Sequence, residues 1–203
     1  LKGYSLVLGL SFPITAACAL YAEEIIYIFL GAKWLDAVPI FRMLSPIVFI
    51  CAMINPLSWL LFSVGLVGRS LKIAAVLAPL VIGAYLMGLP YGAFGVAAGY
   101  STVMVLWLMP HIVWCTHGTV ITLKDICVSV SKPLLSAMIA SCAALAFKAY
   151  IGPYVTSAMI LVTGILLLLM VYLFMLLYVL NQRAFYFQLL NELKFRAMMN
   201  SRA

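Results

Sequence analysis

The feature that most constrains this chain is a series of six apolar runs that contain no Asp, Glu, Lys or Arg. They are Gly3–Ala22, Met43–Gly68, Ile73–Leu89, Ala93 to about Cys115, Pro133–Phe147 and Tyr154–Leu180. In hydrocarbon an unpaired backbone N–H or C=O finds no water, so only helices and closed barrels cross a membrane. A barrel strand is about ten residues of alternating apolar and polar character. These runs are continuous, and most approach the ~20 residues that one helical span needs. The expected fold is therefore an all-α polytopic membrane bundle of about six transmembrane helices. The whole chain agrees: of its 203 residues 67% are apolar and 8% charged, whereas a soluble domain carries roughly 25% charged residues. A soluble catalytic domain, a disordered chain and a nucleic-acid reader are excluded, and the net charge of +7 reads as membrane topology.

Charges mark the boundaries between spans. Glu23 to Arg42 is amphipathic and of mixed charge, which places it at an interface. Thr116–Lys132 reads as an interfacial connector, although the fifth span can begin near Ile126. Arg69 and Lys72 then fall in a short turn after Gly65 and Gly68. Six spans put both termini on one side. Nine of the twelve cations (Lys2, Arg69, Lys72, Lys124, Lys132, Arg183, Lys194, Arg196, Arg202) fall on that side, against Lys33, Arg42 and Lys148 on the other. By the positive-inside rule both termini are expected to be cytoplasmic. Residues 1–181 form the six-span region. Residues 182–203, where Phe185, Leu189, Leu193 and Phe195 are interspersed with cations, suit a basic amphipathic tail on the membrane lipids of the cytoplasmic leaflet. The chain opens on Leu1 with no charged leader before the first apolar run, and reads as a piece of a longer membrane protein.

Little in the sequence suggests catalysis. His111 and His117 are six residues apart, some 120° around one helix at ~100° per residue, so they do not face one metal; an end-of-span position accounts for them. Glu23 and Glu24 close the first span. The five cysteines lie in or near apolar runs without a CxxC pair and read as free thiols. No cofactor or metal motif is present, and the chain is not read as an enzyme. No charge lies deep in any span, where ionisable residues mark ion or substrate paths. What the spans do contain is proline, at Pro13, Pro46, Pro56, Pro79 and Pro110, each removing a helix hydrogen bond. Broken helices line cavities in many transporters. Asn55-Pro56 and Pro79 are thus candidates for a substrate path, and Arg42, Arg69 and Lys72 are candidates for meeting a phosphate-bearing headgroup at its mouths. Interhelical hydrogen bonding by Asn55 and simple topology for the cations are the plainer accounts. Gly95 and Gly99 form a small-xxx-small face suited to close helix packing.

The order of motifs adds a resemblance. Ser11-Phe12-Pro13, Ala22-Glu23, Phe29-Leu30-Gly31-Ala32-Lys33-Trp34, Ala37-Val38-Pro39 and Arg42-Met43-Leu44 come first. Gly65-Leu66-Val67-Gly68-Arg69, then Tyr91 to Tyr100 with its glycines, and Leu123-Lys124-Asp125 follow. Over about Leu1 to Phe147 the chain resembles the Wzx-type flippases of the oligosaccharide flippase family, within the multidrug, oligosaccharidyl-lipid and polysaccharide exporter superfamily.

The resemblance implies the C-terminal part of a two-lobe transporter of about twelve to fourteen spans. The implied cargo is an oligosaccharide on undecaprenyl diphosphate, moved across the bacterial cytoplasmic (inner) membrane by alternating access for exopolysaccharide or lipopolysaccharide synthesis. The partners so implied are the lipid-linked oligosaccharide and the N-terminal lobe of the full-length protein, which would supply the diphosphate grip. A drug/cation antiporter of the same superfamily and a non-transporting membrane assembly subunit are the alternatives.

Overall fold

The computed structural model describes residues 2–119 and 121–179; the tail at 182–203 lies outside them. Among these described residues seven α-helices form: α1 Lys2–Leu20, α2 Ala22–Leu30, α3 Val38–Ser63, α4 Val67–Gly88, α5 Gly92–Thr116, α6 Leu123–Ile151 and α7 Ser157–Phe174. Short 3₁₀ turns join α2 to α3, α4 to α5 and α6 to α7, and a π-helical turn, Met175–Val179, continues α7. Five helical stretches are long and apolar enough to cross a membrane. One of them, Val67–Thr116, is the α4–α5 hairpin, so six helices of spanning length are present. The nine-residue α2 is the exception, too short for the ~20 residues of a span.

Side-chain contacts give the directions. Phe12 meets Phe49 with ring centroids 4.4 Å apart, which places α1 against α3. The Tyr172 hydroxyl donates to the Gly9 carbonyl at 2.6 Å, and Tyr21 lies against Gly164, so α7 runs antiparallel to α1. Tyr85 pairs with Tyr100 and Arg69 with His117, which makes α4 and α5 antiparallel. The beginning of α1 and the end of α7 therefore share one end of the bundle, here the Tyr4 end. The opposite end, where α1 finishes, is the Tyr21 end. Packing does not follow chain order: α1 sits between α3 and α6, with α5 beyond α3, α4 beyond α5, and α7 against α6. The core along α1 and α3 is built from Leu8, Phe12, Ile50, Met53, Leu57 and Leu61.

Several boundaries differ from the sequence expectation. The second span is Val38–Ser63 and ends earlier than Gly68, because the chain turns at Val64–Leu66, where Gly65 has φ +76°. Arg69 and Lys72 consequently lie in the first two turns of α4 and not in the turn itself. The connector expected over 116–132 shrinks to the six residues 117–122 between α5 and α6. α6 starts at Leu123, where Thr122 accepts from the Asp125 N–H and the Asp125 carboxylate accepts from the Thr122 N–H at 2.9 Å. This capping box satisfies two helix-end donors, and Lys132 then rides exposed on α6. Nor do the prolines break the helices: Pro13, Pro46, Pro56, Pro79 and Pro110 each sit inside a continuous helix. Proline takes one N–H from the ladder, and in a membrane bundle neighbouring groups can satisfy what it frees.

The α4–α5 crossing shows what the small residues do. A Cβ added at Gly99 would stand 2.7 Å from the Ala84 carbonyl oxygen, and one at Gly88 2.5 Å from that of Gly95. Backbone thus meets backbone along Ala84/Gly99 and Gly88/Gly95, as the small-xxx-small pattern implies. Gly99→Leu is expected to cost about 2 kcal/mol by forcing the helices apart. Gly83→Leu, whose Cβ points into open space, is expected to cost far less; reversible unfolding of both variants in mixed micelles measures the difference.

Candidate functional site

The six residues proposed for a substrate path do not form one cluster. Asn55 is on the exposed face of α3, eight residues from its end, and its amide makes no hydrogen bond among the described residues. Pro56 beside it is half-buried and lines a groove of about 350 Å³ with Tyr4, Trp59 and Ser63. Arg42 is exposed thirteen residues earlier on the same helix, about 20 Å along its axis at 1.5 Å per residue. Pro79 is exposed on the outer helix α4, and Lys72 is exposed one turn after Arg69.

Arg69 has a definite task. Its guanidinium donates to the carbonyl of His117, the residue that ends α5. The last carbonyls of a helix lack intrahelical partners and carry partial negative charge, so a cation there is favourable. The bond also ties the start of α4 to the loop that leads into α6.

The larger groove, about 630 Å³, lies between α3, α4 and α5 and is lined by Ile40, Leu44, Tyr85, Val96 and Tyr100 among others. Arg42 falls between Ile40 and Leu44 in sequence. Two residues correspond to ~200° on a helix, so Arg42 faces away from this groove.

Two polar sites were not foreseen from the sequence. The first is at the Tyr21 end. Glu24 is 6% exposed, and Lys148 from the end of α6 reaches it, with Nζ 2.7 Å from Oε1 and 2.9 Å from Oε2. The same ammonium donates to the Leu20 carbonyl at 3.0 Å, one of the unpaired carbonyls at the end of α1, and sits 5.5 Å from the centre of the Tyr21 ring. Tyr21 is fully buried, its ring against Gly164, where an added Cβ would lie 2.3 Å from the hydroxyl oxygen. One lysine therefore ties α1, α2 and α6 together, and the tyrosine it covers wedges against α7. The topological assignment placed Glu24 and Lys148 on the same side of the membrane. That was the available signal, but pairing required knowing that α1 and α6 are neighbours.

The second is on α5. His111 is 3% exposed, and Trp107, one turn earlier, 8%. Their rings meet edge to face at 6.5 Å. Neither His111 nitrogen nor Trp107 Nε1 has a hydrogen-bond partner among the described residues. His111 is five residues from the end of α5, so its depth suits an end-of-span position, but the ring is packed into the bundle.

Cys18, Cys51, Cys115, Cys127 and Cys142 are free thiols. Among the described residues no group of three or more His, Cys, Asp or Glu is placed to hold a metal.

Removing one partner of a buried ion pair leaves the other charge stranded. Lys148→Met is expected to destabilise the bundle by about 3 kcal/mol, the lower part of the range for such pairs because Lys148 keeps some exposure. The double variant Glu24→Gln/Lys148→Met recovers much of the loss. Unfolding free energies of the two single variants and the double variant form the cycle that measures this coupling. Compared with protein-family models, curated protein sequences and solved structures, the chain matches none.

Proposed function

We propose that the chain is part of a membrane transporter that moves lipid-linked oligosaccharide units across the bacterial cytoplasmic membrane, as flippases of the Wzx type do. The observation that carries this reading is the ordered set of motifs over about residues 1–147. Its support in the fold is that the motif glycines fall where the backbone needs them. Gly31 (φ +89°) turns the chain between α2 and the Lys33-Trp34 segment, Gly65 (φ +76°) turns it between α3 and α4, and Gly92 (φ +67°) starts α5. Positive φ is a conformation glycine adopts without steric cost. Gly95 and Gly99 follow at the α4–α5 contact. The motifs thus describe joints of the bundle, which is what a shared architecture would preserve.

Charge distribution supports an orientation. Among the described residues, Arg69, Lys72, Lys124 and Lys132 at the Tyr4 end stand against Asp125 alone, whereas at the Tyr21 end Lys33, Arg42 and Lys148 balance Glu23, Glu24 and Asp36. On the positive-inside rule the Tyr4 end, where α1 begins, is cytoplasmic, and a lipid-linked cargo made in the cytoplasm is loaded there. The path runs along the outer face of α3, where Asn55 presents an unpaired amide. An amide facing hydrocarbon alone is costly, so this face fits a water-filled space shared with the other lobe. Binding of the diphosphate falls mainly to that lobe. An antiporter for cations needs an available carboxylate in its path, and Glu24, the buried acid among the described residues, is already neutralised by Lys148. That favours the flippase over the antiporter.

Two outcomes test this reading. In cells whose surface polysaccharide depends on this gene, Arg69→Glu with Lys72→Glu is expected to invert or impair insertion and to reduce exported polysaccharide; unchanged topology and export would remove the claim for this end. A cysteine at Asn55 is expected to react with a membrane-impermeant maleimide. Failure to react from either side, with Lys124→Cys labelled as a positive control, would assign Asn55 to helix packing.

A further inference from the structure

The joints at the Tyr21 end share a feature that the transport reading does not use. Three joints meet there, the 3₁₀ turns Ala32–Ala37, Leu89–Tyr91 and Gly152–Tyr154 that follow α2, α4 and α6. Each carries an exposed aromatic side chain: Trp34 on the first, Tyr91 on the second and Tyr154 on the third. Tyr27 on α2 and Tyr150 at the end of α6 are exposed beside them. Tyr91, Tyr150 and Tyr154 are 78%, 79% and 84% exposed. The joints at the opposite end, residues 64–66 and 117–122, contain no Phe, Tyr or Trp. The exposed aromatics Trp59, Phe62 and Phe174 toward that end stand on the sides of helices.

Two opposite costs decide what surrounds these rings. A tyrosine or tryptophan side chain is a large apolar surface with one polar handle. Wholly in water, five such rings around one end of the bundle would expose a broad apolar area. Wholly in hydrocarbon, each hydroxyl and the indole N–H would lack a partner, which is also costly. Both costs disappear at the boundary between lipid headgroups and acyl chains, where Tyr and Trp concentrate in membrane proteins. The charges at this end agree with a neutral attachment. Among the described residues Lys33, Arg42 and Lys148 are matched by Glu23, Glu24 and Asp36, so no excess of cations is left to hold anionic headgroups.

We propose that Tyr27, Trp34, Tyr91, Tyr150 and Tyr154 form an aromatic girdle seated in the glycerol and ester layer of the surrounding leaflet, and that this girdle sets the depth of the bundle at that end. The rings lie against the upper acyl chains, and the hydroxyls and the indole N–H donate to ester or phosphate oxygens. The depth of the Glu24–Lys148 pair follows. Glu24 precedes Tyr27 by three residues and Lys148 precedes Tyr150 by two, which puts the pair about 3–5 Å to the hydrocarbon side of the girdle. An ionised side chain on that side needs a counter-charge within the protein, and the two residues supply it to each other. The girdle does not depend on the transport reading and stands or falls separately from it.

Trp34 provides the first probe. The full chain is reconstituted in phosphatidylcholine vesicles in which a minor fraction of the lipid carries bromines either near the glycerol or at the middle of the acyl chains. The Trp34 signal is the difference between the chain and its Trp34→Phe variant. Bromines near the glycerol are expected to quench it more strongly than bromines at mid-chain, and aqueous iodide to quench it weakly. Tyr91→Trp and Tyr154→Trp, each read in the Trp34→Phe background, bring the same probe to the other two joints and are expected to give the same order. Replacing part of the phosphatidylcholine by phosphatidylglycerol should leave the order unchanged at all three, because the attachment is neutral. Tyr91→Ser, Tyr150→Ser and Tyr154→Ser combined should shift the ratio of the two lipid quenchings at Trp34 while the helical circular dichroism stays the same. An unshifted ratio would show that the rings do not set the depth. Strong quenching by iodide with little from either lipid would place a joint in water, and stronger quenching from mid-chain would place it in hydrocarbon. Protection from all three quenchers would mean that a protein surface covers the rings. Any of these results would overturn the proposal.

Discussion

The chain must satisfy its own backbone. With so little polar surface and so much apolar length, every span has to close its hydrogen bonds within itself, and the structure follows from that requirement. Among the described residues six helices of spanning length result, and irregular backbone is confined to short joints at their ends. Where a joint needs an unusual conformation the sequence provides glycine, at Gly31, Gly65, Gly92 and Gly118. Even helix-interior serines and threonines mostly return their hydroxyls to carbonyls on their own helix, as Ser11 does to Val7 and Thr116 to Ile112.

Helices that already satisfy themselves have little reason to choose neighbours, since lipid is as apolar as leucine. Choice comes from fit and from the few polar groups. α4 and α5 are joined by backbone contact through Ala84, Gly88, Gly95 and Gly99. α3 and α5 are linked by the Ser101 hydroxyl donating to the Met43 carbonyl at 2.8 Å. The knot of Glu24, Lys148 and Tyr21 selects α6 and α7 as the neighbours of α1. Lys148 does this by meeting three kinds of partner: a carboxylate, a helix-end carbonyl and an aromatic face. A buried pair of this kind is a weak source of stability relative to apolar packing, but it penalises wrong arrangements heavily.

Polar groups without such partners are the ones open to functional use. Asn55 faces outward from α3, and Tyr4 lines the groove at one end of the bundle.

Much of the architecture could be read directly from the residues. Uncharged runs of the right length gave the six helices of spanning length, and charge at their borders gave the ends of α1 and α5 to within about two residues while missing the start of α6 by ten. Gly95 and Gly99 announced a close contact, and the tyrosines and glycines at 91 to 100 a joint. Two errors have a common physical cause. The connector at 116–132 was read as interfacial because Lys124, Asp125 and Lys132 are charged, but a capping box makes Asp125 a helix starter and a long side chain lets Lys132 remain on a helix with its ammonium outside. The prolines suggest breaks because proline removes a hydrogen bond, yet a helix held on several sides tolerates that loss. Partnerships are a different matter. Glu24 and Lys148 are 124 residues apart, Arg69 and His117 are 48, and nothing local to either member indicates the other. Local composition decides whether a segment is a helix and which ends face water, because those depend on each segment's own hydrogen bonds and solvation. Which helices touch, and so which polar groups are spent on structure and which are left free, depends on short-range fit between distant segments, and only the assembled bundle decides it.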